Sequence, residues 1–330
     1  MLPYSPAALG GSRYRRYVHL DESSSPAAER FRSAARSRST TRGYGSDWRD
    51  FEEWCSYNGL VSLPATEHTV ANYLASMASD AGAKKATVLR RLAAINDMHE
   101  RSGFPRPSRH TIVSEVVSGV RRDLLDEVDS AAPFTIEMLH RAAEHLRSPG
   151  LANLRDRALL CLGFAAALRR SELVAVRVED LSLLEGFGYA LTIPRSKTDQ
   201  ESKGVVVAVP FAQSEDICPV RAVREWLECS EIRSKEVLRG MWKNDRPRST
   251  GMSPASVNMV VKRVAEAIGE DPAGFSGHSL RAGFVTSARA AGVPDHVTMY
   301  TTRHKDARTL SMYDRPQDVF ASSTWSHTGW

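Results

Sequence analysis

Four short runs of the chain hold side chains that could do chemistry together. AALRRSELVAV (166–176) closes an apolar stretch with Arg169 and Arg170, then Ser171 and Glu172. A guanidinium at the end of a buried helix needs a carboxylate or phosphate partner, because an unpaired buried charge is costly. Either Glu172 makes an ordinary structural pair with one arginine, or the arginine serves an external anion. PRSKTDQESKG (194–204) carries Lys197 and Lys203 on a polar connection, where a lysine taken alone faces solvent. SGHSLRAGF (276–284) sets His278 and Arg281 three residues apart as a helix begins. Both can face one side, and a helix N-terminus favours an anion; a capping histidine beside a surface arginine fits the same spacing. TTRHKDARTLSMYDRP (301–316) gathers His304, Tyr313 and the cations Arg303, Lys305, Arg308 and Arg315. Tyr313 is there either a packing residue or a nucleophile for a phosphate. A straight helix would put residues 304 and 313 on different faces, so the two converge only if His304 lies in the turn before the helix of Tyr313.

The elements that must position these side chains fall into two groups. Residues 1–42 contain eight Arg against three acidic residues, among many Ser, Ala, Gly and Pro. This reads as a basic, disordered arm over 1–40, solvated or touching a polyanion. From Thr41 the pattern turns helical. Tyr44, Trp48, Phe51 and Cys55 share one face of a helix ended by Gly59. A second helix, opened by Pro64 and Thr66, buries Val70, Tyr73, Leu74 and Met77. A third buries Val88, Leu92, Ile95 and either Met98 or His99, leaving Lys84, Lys85, Arg90 and Arg91 outside. A fourth, from Thr111 to about Asp126, buries Ile112, Val116, Val120 and Leu124. Four helices make an all-α bundle over 41–126. EVDSAAP (127–133) has the composition of a linker.

The remainder, 134–316, is mixed α+β, followed by a tail at 317–330. Helices are expected at 135–147, 153–168, 219–230, 254–268 and from Ser279 to about Ala291, with SELVAVRVEDL a helix and turn. GYALTIP and KGVVVAVP read as two strands of a small antiparallel sheet joined by RSKTDQES. On 254–268, Val257, Val260, Val261, Val264 and Ile268 form the buried face, with Ala255, Asn258, Met259 and Lys262 turned outward. The fold class is therefore mainly α: a helical bundle plus an α+β domain.

Bulk properties narrow the function classes. A net charge of +5 and a pI near 9.1 suit a polyanion partner. The chain has no run of apolar residues long enough to span a bilayer. MLPYSPAALGGSRYRRY has Pro and Gly where a signal peptide needs an apolar core. A cytoplasmic protein is expected, and Cys55, Cys161, Cys218 and Cys229, with no CxxC pair, read as reduced thiols rather than zinc ligands.

Taken together and in order, the Arg-x-Ser-Glu-Leu run, the hairpin Lys-Thr, His-x-Leu-Arg and the final His and Tyr nine residues apart resemble the tyrosine recombinases of the phage-integrase type. The resemblance covers roughly residues 40–316. It implies a SAM-like core-binding domain in the first group of helices and a catalytic domain in the second. Arg169 matches the first catalytic arginine, Lys197 the hairpin lysine, His278 and Arg281 the His-x-x-Arg pair, and His304 the position that is His or Trp. Tyr313 matches the nucleophile, and Glu172 the acidic residue that supports the arginine helix. Arg303 stands where the family usually has Gly.

Such a constellation implies a DNA strand-exchange enzyme. Two guanidinium forks and two imidazoles stabilise the charge that builds on a phosphodiester under attack. Tyr313 would form a 3′-phosphotyrosyl link and Lys197 would protonate the leaving 5′-oxygen. The link retains the bond energy, and the cations supply the charge, so neither ATP nor a metal ion is implied as cofactor. The implied partners are double-stranded DNA with inverted-repeat half-sites and a homo-tetramer on synapsed DNA, from a monomer or dimer off DNA. Helix 254–268 would enter the major groove with Ala255, Asn258, Met259 and Lys262, and Lys84, Lys85, Arg90 and Arg91 would touch the backbone. Two rival readings share these residues: a catalytically impaired DNA-binding protein of the same fold, and a telomere resolvase or type IB topoisomerase.

Overall fold

A computed structural model describes residues 25–27, 30–31, 38–124, 131–193 and 204–304. Most of the expected arm, residues 127–130 of the expected linker, and the tail lie outside these residues. The chain divides into two compact units between Val128 and Asp129.

The first unit is built from α1 (Arg38–Tyr57), α2 (Glu67–Ser79), α3 (Lys85–Arg101) and α4 (Thr111–Asp123). Thr66 caps α2 by accepting the Thr69 N–H at 3.2 Å. Trp48, Phe51 and Cys55 of α1 are buried against Val70, Tyr73 and Leu74 of α2 and Val88, Leu92 and Ile95 of α3. The Phe51 and Tyr73 rings lie 5.0 Å apart, tilted. On α3 the inward residue is His99, with Met98 only half-buried. The His99 Nε2 accepts the Ala65 N–H at 2.9 Å and Nδ1 meets the Ile95 carbonyl at 2.9 Å. That pairing needs the neutral ring with its proton on Nδ1, and burial lowers the His99 pKa accordingly.

Two expectations for this unit need correcting. The buried residues of α4 are Val113, Val117 and Val120, with Ile112, Val116 and Leu124 only partly covered. Ile112 and the valines spread over a wide apolar arc, and packing against α2 covers only the side that holds Val113, Val117 and Val120. Arg91 is not an outward residue. Its guanidinium pairs with Asp50, lies 3.9 Å from Asp47 and donates to the Tyr73 hydroxyl at 2.7 Å. Asp47 itself is buried, and a buried carboxylate draws in whatever cation can reach it. Arg90, half-exposed, pairs with the same Asp47 at 3.0 Å, and the Lys85 ammonium donates to the Arg121 carbonyl at 3.3 Å.

In the second unit α5 (Ile136–His145) leads into α6 (Leu151–Ala165), buried from Ala158 to Phe164. The short α7 (Arg170–Leu173) follows, then an antiparallel sheet in the order β1 (Leu181–Leu184), β2 (Gly188–Ile193), β3 (Val205–Pro210). Then come α8 (Pro219–Cys229), a hairpin of β4 (Arg239–Met241) and β5 (Pro247–Gly251), α9 (Pro254–Ala267), α10 (Ser279–Ala290) and α11 (Asp295–Thr302). The α6 helix packs on α8 and α10, and Trp226 of α8 is sealed in the core with its indole N–H on the Val237 carbonyl at 2.8 Å. The expected pair of strands is present, with Ile193 opposite Val205 at the end from which the 194–203 connection leaves. SELVAVRVEDL, expected as helix and turn, is α-helical to Leu173, makes a 3-10 turn at Val178–Asp180 and leads into β1, an edge strand with a mostly exposed burial pattern. The sequence pattern also missed β4, β5 and α11. No helix among the described residues is long and apolar enough to cross a membrane.

The segment entering this unit runs along α10. Phe134 N–H donates to the Ser279 carbonyl at 2.9 Å, and Ile136 N–H to Ser287 Oγ at 3.1 Å. Gly283 permits that approach, because a Cβ there would sit 1.8 Å from the Phe134 carbonyl oxygen. Gly283→Ala is expected to destabilise this unit by about 3 kcal/mol, the upper end for overpacking a core. A denaturant midpoint within error of the wild type would contradict that packing.

Candidate active site

Three chain segments build one cationic pocket in the second unit. The first is the turn leaving α6. Ala167 takes a left-handed backbone, φ 46°, and Arg169 sits at the N-cap of α7. Glu172, one turn later, reaches back to both ends of Arg169. Its Oε2 accepts the Arg169 backbone N–H at 2.9 Å and its Oε1 accepts Nη1 at 2.7 Å. This is the acid half of a capping box used to fix an arginine. The second segment is the start of α10, with His278 at the N-cap and Arg281 in the first turn. The third is the end of α11, where Thr302, Arg303 and His304 turn out of the helix.

Arg281 ties the three together. It is 1% exposed, donates from Nη1 to the Ala167 carbonyl at 2.6 Å and bonds through Nη2 to the Thr302 carbonyl. The strained Ala167 therefore aims its carbonyl at the second arginine while the next residues present the first. Thr302 in turn sets the imidazole of His304, with Oγ1 and Nδ1 2.9 Å apart. Gly277 before His278 is held by Asn258, whose Oδ1 accepts the Gly277 N–H at 2.7 Å. Asn258 is thus partly buried and fastened to the loop that carries His278, contrary to its expected outward position; Ala255, Met259 and Lys262 are exposed.

Both histidines are held below the ordinary imidazole pKa. For His304 burial lowers it first, then Arg281, Arg169, His278 and Arg303, to about 4. For His278 desolvation is the leading cause, followed by Arg281, Arg169 and Arg170. Near neutral pH both rings are therefore uncharged hydrogen-bonding groups set among fixed cations.

A histidine whose folded pKa lies below its unfolded value binds fewer protons folded than unfolded. Its contribution to stability is complete above pH 6.5 and is lost as pH falls toward about 4. The thermal midpoint is expected to drop across that window, and His304→Asn to shrink the drop. Parallel melting curves of the two proteins from pH 7.5 to 4.5 check this; identical slopes would contradict it.

Of the residues singled out in the sequence, Arg169, Glu172, His278, Arg281 and His304 come together here. Lys197 and Tyr313 lie outside the described residues. Sequence reasoning left Arg303 without a role. Its guanidinium is 8% exposed and donates from Nη2 to Glu172 Oε2 at 2.8 Å. The one signal for it was a charged residue where a left-handed turn suits Gly, since Arg303 has φ 59° and ψ 36°.

Comparison with known proteins gives this pocket a setting. Residues 133–319 match the model of the phage integrase family. The integrase/recombinase xerD homolog of Selenomonas ruminantium is 35% identical over 306 residues, 92% of this chain and 89% of the relative. The recombinase cre of Escherichia phage P1 is 26% identical over 74% of each chain. Among solved structures, a lambda integrase dimer bound to a COC′ core site shares the fold. It aligns with a TM-score of 0.55 at 17% identity, over 86% of this chain and 91% of that one. With a family model matched over more than half its length and a relative this similar along nearly all of it, the chain belongs to the phage integrase family, the tyrosine recombinases.

Proposed function

We propose that this recombinase cuts and rejoins double-stranded DNA at specific sites through a 3′-phosphotyrosyl link to Tyr313. The observation that carries the reading is the convergence of Arg169, His278, Arg281 and His304 from three distant segments into one pocket. Fixed guanidinia stabilise the extra negative charge on the non-bridging oxygens of a phosphodiester under attack, and neutral imidazoles add hydrogen bonds without repelling the arginines. The Tyr313 oxygen attacks phosphorus, the bond to the 5′-oxygen breaks, and a phosphotyrosine and a 5′-hydroxyl result. The phenol proton passes to a neighbouring histidine, and Lys197 protonates the leaving oxygen. Attack by the 5′-hydroxyl of a second strand reverses the step and rejoins the DNA.

The relatives supply the setting for the partners. The lambda integrase neighbours are a dimer on a core site and a tetramer on a Holliday junction. For this chain we assign inverted-repeat half-sites, each held by one subunit, and a homo-tetramer on two synapsed duplexes, acting on DNA of the nucleoid. Exposed Ala255, Met259 and Lys262 on α9 are assigned to base edges, while Lys84, Lys85 and the half-exposed Arg90 are assigned to phosphates. Arg91 and Asn258, occupied within the protein, act on the shape of these surfaces.

The test is incubation of the protein with labelled duplexes taken from the DNA flanking its gene, nicked so that cleavage traps the product. A covalent protein–DNA band that survives denaturing electrophoresis supports the reading. Binding without any such band would favour an impaired DNA-binding protein. Relaxation of supercoiled plasmid lacking the site would favour a topoisomerase.

A further inference from the structure

Arg303 breaks three local preferences at once. It holds a left-handed backbone, φ 59°, where glycine is at ease and an arginine is not. Its guanidinium is buried to 8% exposure. Among the described residues its buried Nε and Nη1 find no hydrogen-bond partner, while Nη2 meets Glu172 at 2.8 Å. A residue that gives up backbone comfort, hydration and hydrogen bonds together is retained for what its charge does.

Glu172 shows what that is. This carboxylate is 8% exposed and accepts the Arg169 guanidinium on Oε1 and the Arg169 backbone N–H on Oε2. With Arg169 as its sole counter-ion, Glu172 would hold that side chain in place and cancel its charge in the same contact. A second guanidinium on Oε2 changes the balance, leaving the trio with one net positive charge.

We propose that Arg303 is a positioning residue for strand cleavage: by taking up the charge of Glu172, it lets that carboxylate hold Arg169 in place while Arg169 keeps its charge for the scissile phosphate. The inference rests on the reading of Arg169 as a phosphate-binding residue. Burial pushes the Glu172 carboxyl toward its neutral form. Arg303 is the largest influence against that, followed by the bonds and charge of Arg169, and the balance leaves Glu172 below its ordinary pKa. Among the described residues the other titratable groups of the pocket are Arg281 and His278 from α10, His304 after α11 and Arg170 of α7, the arginines acting on the two histidines.

Without Arg303 the Glu172 carboxyl titrates at higher pH, and once protonated it no longer anchors Arg169 as a charged partner. Arg303→Gly suits the backbone and removes the charge, while Arg303→Lys keeps a charge on the same backbone. Single-turnover formation of the covalent adduct on a nicked duplex at saturating protein, followed from about pH 5 to about pH 8, and equilibrium DNA binding are measured for both variants and the wild type. Arg303→Gly is expected to bind DNA within about 2-fold of wild type and to form adduct about 10-fold more slowly at neutral pH. The acid limb of its rate profile should move to higher pH, and Arg303→Lys should recover most of the rate and the original limb.

Arg303→Gly with the wild-type rate and profile overturns the proposal, as does a loss of rate matched by an equal loss of DNA binding. A lysine variant no better than glycine overturns it too. Absence of adduct with the unmutated chain instead overturns the recombinase reading, and this inference with it.

Discussion

Tyr313→Phe is expected to abolish the covalent adduct altogether while leaving specific DNA binding within about 2-fold of wild type. The two halves of that expectation have different origins. On the proposed reading, removing one phenolic oxygen deletes the nucleophile, and the cations of the pocket cannot replace it. Binding, by contrast, is expected to draw on phosphate contacts spread over many basic residues, to which a single phenol adds little. The pocket already has its cations without the tyrosine: Arg281 is fixed by two carbonyls, and Arg169 by both ends of Glu172. A Phe variant that still forms adduct would move the nucleophile elsewhere. A variant that no longer binds DNA would make Tyr313 a structural residue.

Arg281→Lys carries the second large effect, a loss of about 10²–10³ in the rate of adduct formation, comparable to removing a preorganised donor from a transition-state site. The charge survives this substitution, so a pocket that needed only positive potential would barely respond. The geometry does not survive it. Arg281 reaches the Ala167 carbonyl, on the turn that presents Arg169, and the Thr302 carbonyl, on the turn that presents His304. A compact ammonium cannot hold two diverging acceptors and offer a planar fork to a phosphate. The segments it joins should loosen, and with Arg281 1% exposed the unsatisfied carbonyls should cost about 1–3 kcal/mol of stability. Single-turnover kinetics and a denaturant titration measure the two effects on one preparation. Full activity with a reduced stability would reduce Arg281 to a fold residue.

Much of this architecture was legible in the chain. Helical periodicity gave α1 to α3 their buried faces, because an amphipathic stripe depends on spacing within a single element. It misjudged α4, where one wide apolar arc holds all the valines and only the partner helix decides which part of it is covered. The pairing of β2 with β3 was readable from alternating, β-branched runs. The edge strand β1 and the β4–β5 hairpin were not, since one is mostly exposed and the other too short to show a period. Arg91 and Asn258 looked outward by helical phase, yet a buried Asp47 and the backbone of Gly277 claim them. Phase reports the direction of a side chain, not the polar groups that wait there.

The sequence by itself determined which residue types were available for phosphate chemistry and their order: an arginine with its glutamate, a hairpin lysine, a histidine and arginine in one helical turn, then a histidine and a tyrosine. It also determined the two-part organisation that must carry them, through the change in pattern near residue 130. Only the tertiary structure decided that Ala167 and Thr302, ordinary residues, supply the carbonyls that lock Arg281. It alone decided that Arg303, 131 positions from Glu172, shares that carboxylate with Arg169. The physical reason is one of range. Residue type and helical spacing act over a few positions, whereas the pairing of buried charges is settled by whichever distant groups the packed core brings within hydrogen-bond reach.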